Sequence, residues 1–165
     1  MGGTRRVWTE GDIAGVTVRR IELFRDARGW GAELFRAGEN APEPSPAMAY
    51  VSMTRPGVLR AAHSHSRQTD ILVFAGPGRF RVVLWDDRPG SATRGRKMTL
   101  AAGERNPVAV AVPPGVIHAF RNVSRRPAIS LSFPDRLYRG RGRRGPVDEI
   151  RYEDGPETGV TVPAR

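Results

Sequence analysis

The chain of 165 residues contains no cysteine, a single lysine (Lys97) and only three histidines. The absence of cysteine excludes disulfide bonds, iron–sulfur clusters, thiolate zinc sites and a cysteine nucleophile. No apolar run approaches the roughly 20 residues of a membrane helix, and the N-terminal residues lack the apolar stretch of a secretory signal. We therefore expect one domain over residues 1–165, in the cytoplasm and without a membrane partner.

Arginine, by contrast, is abundant. The 27 Lys and Arg residues against 17 Asp and Glu give a net charge of +10. Because the guanidinium group binds phosphate in bidentate fashion, the charge favours an anionic partner such as nucleic acid, a membrane lipid or a sugar nucleotide. Residues 139–145 hold four arginines in seven positions. This single short run predicts a solvated loop at the mouth of a pocket, in preference to a nucleic-acid site.

Short runs of β-forming residues alternate with turn signals along most of the chain. The runs are residues 47–54, 71–75, 79–85, 107–112 and 128–133. Turns are expected at 76–78 (a hairpin turn), 87–90, 102–103 and 113–115. Many short strands at regular spacing predict an all-β sandwich or barrel. We expect a core over about 21–154, tails at 1–10 and 155–165, with the first able to add an edge strand, and one short helix or loop extension in the last thirty residues.

The three histidines lie in two recognisable patterns. His63 and His65 are two residues apart, so both rings point to one face of an extended strand. The first pattern runs from Gly57 through these histidines to Asp70, and the second reads Pro-Pro-Gly-Val-Ile-His over residues 113–118. Both resemble the two conserved motifs of the cupin superfamily, with aspartate where the first motif has glutamate.

In metal-binding cupins these motif residues converge inside the barrel. By this resemblance, His63, His65, Asp70 and His118 would bind a divalent metal. Imidazoles and a carboxylate suit Fe, Mn, Ni, Cu or Zn. The alternative is that the rings line a metal-free pocket and hydrogen-bond within it.

A longer resemblance covers about residues 21–154. Five ordered segments are similar to those of the dTDP-4-dehydrorhamnose 3,5-epimerases, which are RmlC-like cupins: residues 26–29 with Glu33, then 57–63, 86–95, 112–120 and 151–154. The resemblance implies a cupin double-stranded β-helix, that is, a jelly-roll barrel. It also implies a homodimer, a nucleotide-sugar substrate and no cofactor.

The chemistry of that family removes a proton beside the 4-keto group of a dTDP-sugar and returns it on the opposite face. The resemblance implies His63 as the base, Asp154 as the carboxylate that orients it, and His118 in the sugar pocket. Arg28 and Arg60 would bind the diphosphate, with Glu33 also in the substrate site. Tyr138 would stack on the nucleotide base.

The sequence departs from the family at several of these positions. The tyrosine acid falls on Phe133, and a shift of one residue would bring a serine or a proline there. The lysine that steadies the enolate falls on Asp70, and a glutamine falls on His65. Tyr50 or Tyr138 could supply the missing acid. The changes at Asp70 and His65 are also the ones that complete a metal-cupin ligand set.

Two functions of different class follow from these patterns. The first is an epimerase or isomerase of a dTDP-4-keto-6-deoxy sugar nucleotide, in deoxysugar or antibiotic biosynthesis. The second is a metal-dependent cupin enzyme acting on a small substrate that is not a nucleotide. His63 serves as base in the first and as ligand in the second. A binding protein without catalysis is the third alternative.

Overall fold

The computed structural model describes residues 7–35, 45–152 and 159–163. Within them the chain forms thirteen strands and one 3-10 turn. The strands before the histidine pair are β1 (Thr9–Glu10), β2 (Thr17–Arg20), β3 (Phe24–Asp26), β4 (Gly29–Gly31) and β5 (Tyr50–Thr54). The later strands are β6 (Leu59–Ser64), β7 (Asp70–Phe74), β8 (Arg79–Asp86), β9 (Arg96–Gly103), β10 (Val108–Val112), β11 (Val116–Asn122), β12 (Ala128–Pro134) and β13 (Ile150–Arg151).

Two sheets form the barrel. The six-stranded sheet has the order β1-β9-β8-β11-β6-β13, the five-stranded sheet has the order β2-β10-β7-β12-β5, and β3 and β4 pair as a separate hairpin. All the pairs are antiparallel except β1 with β9. From β6 to β8 and from β10 to β12 the chain passes from one sheet to the other at each connection. This is the jelly-roll arrangement of a cupin, and the predicted all-β fold is confirmed.

The strand alternation decides what fills the space between the sheets. Leu72 and Phe74 of β7 point inward, and the aromatic rings of Phe74, Phe80 and Phe120 lie 5.1–5.4 Å apart in one cluster. These rings close one end of the barrel. Four residues before Phe74 on the same strand lies Asp70, about 13 Å away at the usual strand rise. The opposite end is therefore left for polar side chains.

The outer face of the six-stranded sheet is covered by the ends of the chain. Trp85 and its neighbours pack against Val160 and Val162, both buried, and against the partly buried Trp8. Part of the segment predicted as the tail 155–165 thus belongs to the core. At the other terminus Thr9 and Glu10 pair with β9 as an edge strand.

One local expectation was wrong, and one with two alternatives is decided by the structure. Residues 76–78 do not form a hairpin turn, because β7 and β8 on either side belong to different sheets. Gly78 has a positive φ of 86° and lies so close to Ala128 that a side chain would collide with it. In the described part of the last thirty residues the extension is a loop whose helical content is one 3-10 turn, Arg141–Arg143. No helix in the described residues is long and apolar enough to cross a membrane.

Candidate functional site

An irregularity in β6 brings its polar residues to the interior. His118 and Phe120 of β11 pair with His63 and Arg60 of β6. The two partners are two residues apart on β11 but three residues apart on β6. His118 and Phe120 both face the barrel interior. The extra residue in β6 therefore turns Arg60 and His63 to the same side, although a regular strand would separate them.

Four candidate ligand side chains meet at this open end of the barrel. His63 and His118 come from neighbouring strands, His65 directly follows β6, and Asp70 begins β7 on the facing sheet. Their ligand atoms all lie within 4.8 Å of one another. The Asp70 Oδ2 atom lies 3.2 Å from His65 Nε2 and 3.4 Å from His118 Nε2. The structure thus brings together the whole set predicted from the cupin motifs.

The imidazole rings are oriented by the backbone. The Nδ1 atoms of His63 and His118 lie 3.1 Å and 3.2 Å from the carbonyl oxygens of Ala61 and Val116, and His65 Nδ1 bonds the carbonyl of Asp148. Because a carbonyl oxygen can only accept, each Nδ1 carries the proton. A neutral ring then presents a bare Nε2 lone pair, and the Nε2 atoms of His65 and His118 both face Asp70.

Burial and mutual proximity shift the pKa values of these groups. Burial, helped by the neighbouring His118, lowers the pKa of His63 to about 4. Burial lowers the pKa of His65 as well, but the adjacent Asp70 carboxylate outweighs it, and the net direction is upward. Burial alone would raise the pKa of Asp70, yet the imidazoles of His118 and His65 hold it well below its usual range. His63 is thus neutral at pH 7, and Asp70 is ionised.

A second layer of contacts fixes the β6–β7 loop. The carboxylate of Asp148 accepts hydrogen bonds from the backbone N–H groups of Ser66 and Arg67, both at 2.9 Å. Gln68 donates its side-chain amide to Asp70 Oδ1 at 2.7 Å. Neither Gln68 nor Asp148 is predicted from the sequence. Gln68 lies in a loop without strand alternation, and Asp148 lies 83 residues from His65, so no local pattern marks either residue.

The cluster opens onto a cleft of about 1170 Å³. Its walls include His63, His65 and Tyr138, together with five arginines: Arg67, Arg136, Arg139, Arg141 and Arg143. An adjoining cavity of about 630 Å³ contains Arg60 and Asp70. His63, Tyr50 and Glu149 line both spaces. The arginine-rich loop therefore lies at the mouth of a pocket, as its composition predicts.

Of the residues expected to bind substrate, some line the two cavities and others lie outside them. Arg60 lines the smaller cavity and donates to Thr54 Oγ1 and to the Met53 carbonyl, both at 3.1 Å, and Tyr138 lines the cleft. Arg28 lies on the β3–β4 hairpin, outside both cavities, and pairs with Asp26 at 2.6 Å. Glu33 is exposed and also lies outside these cavities. Asp154 falls outside the described residues.

The position given to the missing family acid needs a correction. Phe133 packs in the apolar cluster on the outer face of the five-stranded sheet, with Ile71 as its strand partner. Its neighbour Ser132 pairs with the inward-facing Leu72 and lines the smaller cavity. On β12 the cavity is therefore lined by Ser132, while Phe133 faces away from it. A serine there is still not a phenol, so the departure from the family stands.

Across β12, Tyr50 is the strand partner of Ser132 and hydrogen-bonds to it through the side chain. Burial raises the pKa of the Tyr50 hydroxyl, although the bond to Ser132 opposes the rise. Tyr50 thus places a protonated phenol in both spaces that His63 lines. Of the two tyrosines considered from the sequence, it has the closer link to the cavity that holds Asp70.

Comparisons with known proteins agree with this architecture. Residues 10–145 match the family model described as dTDP-4-dehydrorhamnose 3,5-epimerase. The chain is 37% identical over 128 residues to a probable low-salt glycan biosynthesis epimerase, Agl13, of Haloferax volcanii, covering 77% of this chain and 81% of that protein. It is 36% identical over 126 residues to the spore coat polysaccharide biosynthesis protein SpsL of Bacillus subtilis, covering 76% and 82% of the two.

A solved structure gives the same result for the fold. The dTDP sugar isomerase of Desulfovibrio desulfuricans G20 superposes with a TM-score of 0.78 at 23% identity, covering 90% of this chain and 91% of that one. The family match spans the strands that carry the histidine cluster and the loop that walls the cleft. The chain belongs to the dTDP-4-dehydrorhamnose 3,5-epimerase family.

Proposed function

We propose that this protein isomerises a dTDP-4-keto-6-deoxy sugar by removing a proton from a carbon beside the keto group. The observation that carries the proposal is the bare Nε2 atom of His63 at the junction of the two cavities. Family membership supports the reaction class. The dTDP sugar isomerase similar in fold supports the nucleotide-sugar substrate.

The proton transfer assigns one role to His63. Its Nε2 lone pair takes the proton as the carbon–hydrogen bond breaks, and the bonding electrons move into an enolate whose charge rests on the keto oxygen. Nδ1 stays protonated on the Ala61 carbonyl, which holds the ring orientation throughout. Return of a proton to the opposite face gives the epimer, and return at a neighbouring atom gives a keto isomer.

The returning proton needs a donor on another side of the substrate. We assign this role to Tyr50, whose hydroxyl reaches both cavities and is tied to Ser132. The arginine-rich wall and Arg60 supply positive charge for the diphosphate, and Tyr138 offers an aromatic face for the nucleotide base. Bidentate guanidinium contacts are well suited to phosphate oxygens.

The remaining parts of the prediction concern residues outside the cavities. The substrate-binding roles of Arg28 and Glu33 and the orienting role of Asp154 stay predictions from the resemblance. The homodimer is likewise a proposal. It is supported by Val51 and Met53, which are exposed on β5 at the edge of the five-stranded sheet.

Deuterium exchange tests the proposed reaction directly. Incubation with dTDP-4-keto-6-deoxyglucose in D2O should replace the proton at C3 or C5 of the sugar by deuterium. Proton NMR measures this exchange as the loss of the corresponding signal. We expect His63→Asn to abolish exchange and Tyr50→Phe to slow product formation while leaving part of the exchange. The control is Lys97→Gln, which removes an ion pair with Glu10 at 3.3 Å, both residues lying outside the lining of the two cavities. Absence of exchange at high enzyme concentration would overturn the proposal.

A further inference from the structure

The space between His65, Asp70 and His118 presents an unusual arrangement of polar atoms. His118 is 1% exposed, and its Nε2 atom has no hydrogen-bond partner among the described residues. This nitrogen points at Asp70 Oδ2 across 3.4 Å, and His65 Nε2 points at the same oxygen across 3.2 Å. An unpaired buried polar atom costs about 1–3 kcal/mol, so its presence calls for a partner.

The neighbouring contacts prevent the His118 ring from turning to give its Nε2 atom another partner. All three Nδ1 atoms are committed to backbone carbonyls, so the rings cannot flip without losing those bonds. The other Asp70 oxygen, Oδ1, already accepts from Gln68. The same Gln68 amide also lies 3.3 Å from His65 Nε2, so the imidazole lone pair that meets no donor among the described residues is that of His118, beside Asp70 Oδ2. A cation placed between Asp70 Oδ2 and the two imidazole nitrogens would satisfy all three electron-rich atoms at once.

We infer that His65, Asp70 and His118 bind a divalent first-row transition-metal ion through their Nε2 atoms and one carboxylate oxygen. Two imidazoles and a carboxylate form a ligand set that such ions favour and that leaves positions open. The hydrogen bonds from Nδ1 to backbone carbonyls and from Gln68 to Asp70 are the outer contacts that metal ligands characteristically make.

His63 is assigned a different role from the other three. It is only partly buried and lines both cavities, whereas His65, Asp70 and His118 are all at least nine-tenths buried. Asp70 Oδ2 is the common neighbour of the two buried imidazoles. We therefore place the ion with the three buried residues and leave His63, on the cleft side, as the base.

The catalytic part of this inference rests on the proposed function. In the alignment with the family, Asp70 stands where a lysine steadies the enolate, and an aspartate alone would repel that anion. A bound divalent ion is a Lewis acid that restores positive charge at this position. The chain's own residues then divide the work: three hold the cation, His63 takes the proton, and the arginines bind the phosphates.

Metal binding is measured on untagged protein, so that a purification tag adds no ligands. After treatment with EDTA and gel filtration, ZnCl2 or MnCl2 is titrated by calorimetry, and bound metal is counted by plasma mass spectrometry. We expect one ion per chain. Asp70→Asn and His118→Gln should each weaken binding at least 100-fold, while His63→Asn should stay within tenfold of the parent. Glu149→Gln is the matched carboxylate control, since Glu149 lines both cavities but lies outside the cluster.

These measurements test separately whether the metal site exists and whether His63 is one of its ligands. Less than a tenth of a metal ion per chain, or a metal affinity of Asp70→Asn equal to that of the parent, would overturn the metal site. The cation shared by Asp70 and the imidazoles would then be a proton. If His118→Gln fails to fold, as judged by circular dichroism, His65→Gln replaces it. Loss of metal in His63→Asn would make His63 a ligand and overturn its role as base.

The deuterium assay separates this inference from the proposed function. Exchange that needs the metal and is lost in both His63→Asn and Asp70→Asn supports both. Equal exchange in metal-free and metal-loaded protein would overturn the role of the metal and leave the proposed reaction intact. A stoichiometric ion without exchange in any state would overturn the reaction and leave the site intact.

Discussion

Two aspartates of the barrel, Asp70 on β7 and Asp86 on β8, are equally buried but differently surrounded. Asp70 is 2% exposed and Asp86 is fully buried. Asp86 accepts hydrogen bonds from the Arg88 guanidinium at 2.9 Å and from the hydroxyl groups of Ser91 and Thr93 at 2.6 Å. Asp70 accepts one hydrogen bond, from Gln68, and its second oxygen faces imidazole nitrogens.

The difference separates a structural carboxylate from a functional one. Both oxygens of Asp86 are saturated by donors within seven residues of it, which closes the β8–β9 turn. Buried charges are tolerated when they are paired and hydrogen-bonded in this way. Asp70 contacts groups of both sheets, and its Oδ2 atom faces two imidazole nitrogens with no guanidinium or hydroxyl donor such as those around Asp86. Burial alone therefore does not identify a site, whereas unfilled acceptor capacity does.

The sharpest test of this comparison is a pair of matched substitutions. Asp86→Asn should lower the free energy of unfolding by about 3 kcal/mol, because it leaves the partly buried Arg88 without its counter-ion. For a chain of this size that corresponds to a fall of about 6–12 °C in the melting temperature. Asp70→Asn, in metal-free protein, should cost about 1 kcal/mol or less, since the asparagine amide can donate to a bare imidazole nitrogen.

Both variants are measured by thermal and urea unfolding after EDTA treatment, with Lys97→Gln as the surface control. Removing metal matters because a bound ion would stabilise the parent by mass action and not the Asp70 variant. Equal losses from the two substitutions would show that Asp70 is as structural as Asp86. A larger loss from Asp70→Asn in metal-free protein would contradict the distinction outright.

Acid should reduce the gap between the parent and Asp86→Asn. Burial by itself raises the pKa of Asp86, but the hydrogen bonds from Arg88, Ser91 and Thr93 outweigh it and hold the pKa below its usual value of 3.8. The unfolded chain then binds the proton first, so the stability that this carboxylate supplies is present above about pH 5 and is lost as pH falls below 4.

We expect the difference in unfolding free energy between parent and variant to shrink by about 1 kcal/mol per pH unit below pH 4. Urea unfolding at pH 7, 5, 4 and 3.5 measures it, at constant ionic strength. A gap that stays constant from pH 7 to 3.5 would show that the aspartate contributes through shape and packing, with no part for its charge.

The sequence predicted the local features of this molecule but not which strands pair with one another. The five strand segments, the histidine patterns and the cleft loop were foreseen, because strand alternation and turn residues are local properties. The pairing of β7 with strands other than β8 was missed at residues 76–78, since local turn signals do not tell which sheet the next strand joins.

Within the site, the predicted ligand set came together, but its surroundings were not predictable. The roles of Gln68 and Asp148 depend on a loop pinned across 82 residues of chain. The outward position of Phe133 was not predictable, because alignment by resemblance does not register which face of a strand a side chain occupies. Only the pairing of Ser132 with Leu72 reveals that the serine faces the cavity.

The smallest expected effect comes from one of the hydroxyl donors around Asp86. Ser91→Ala removes the bond from Ser91 Oγ to Asp86 Oδ2 and should cost about 1 kcal/mol, less than the roughly 1.5–3 kcal/mol usual for a hydrogen bond to a charged group. The cost stays low because Arg88 and Thr93 still contact the same carboxylate. In the Asp86→Asn background the same change should cost less, since a neutral amide binds the hydroxyl more weakly. A double-mutant cycle by urea unfolding measures this coupling. Additive losses would mean that Ser91 stabilises the β8–β9 turn by itself, for example through its contact with Thr93 at 3.2 Å, and that Asp86 does not depend on its hydroxyl donors in the way its saturation implies.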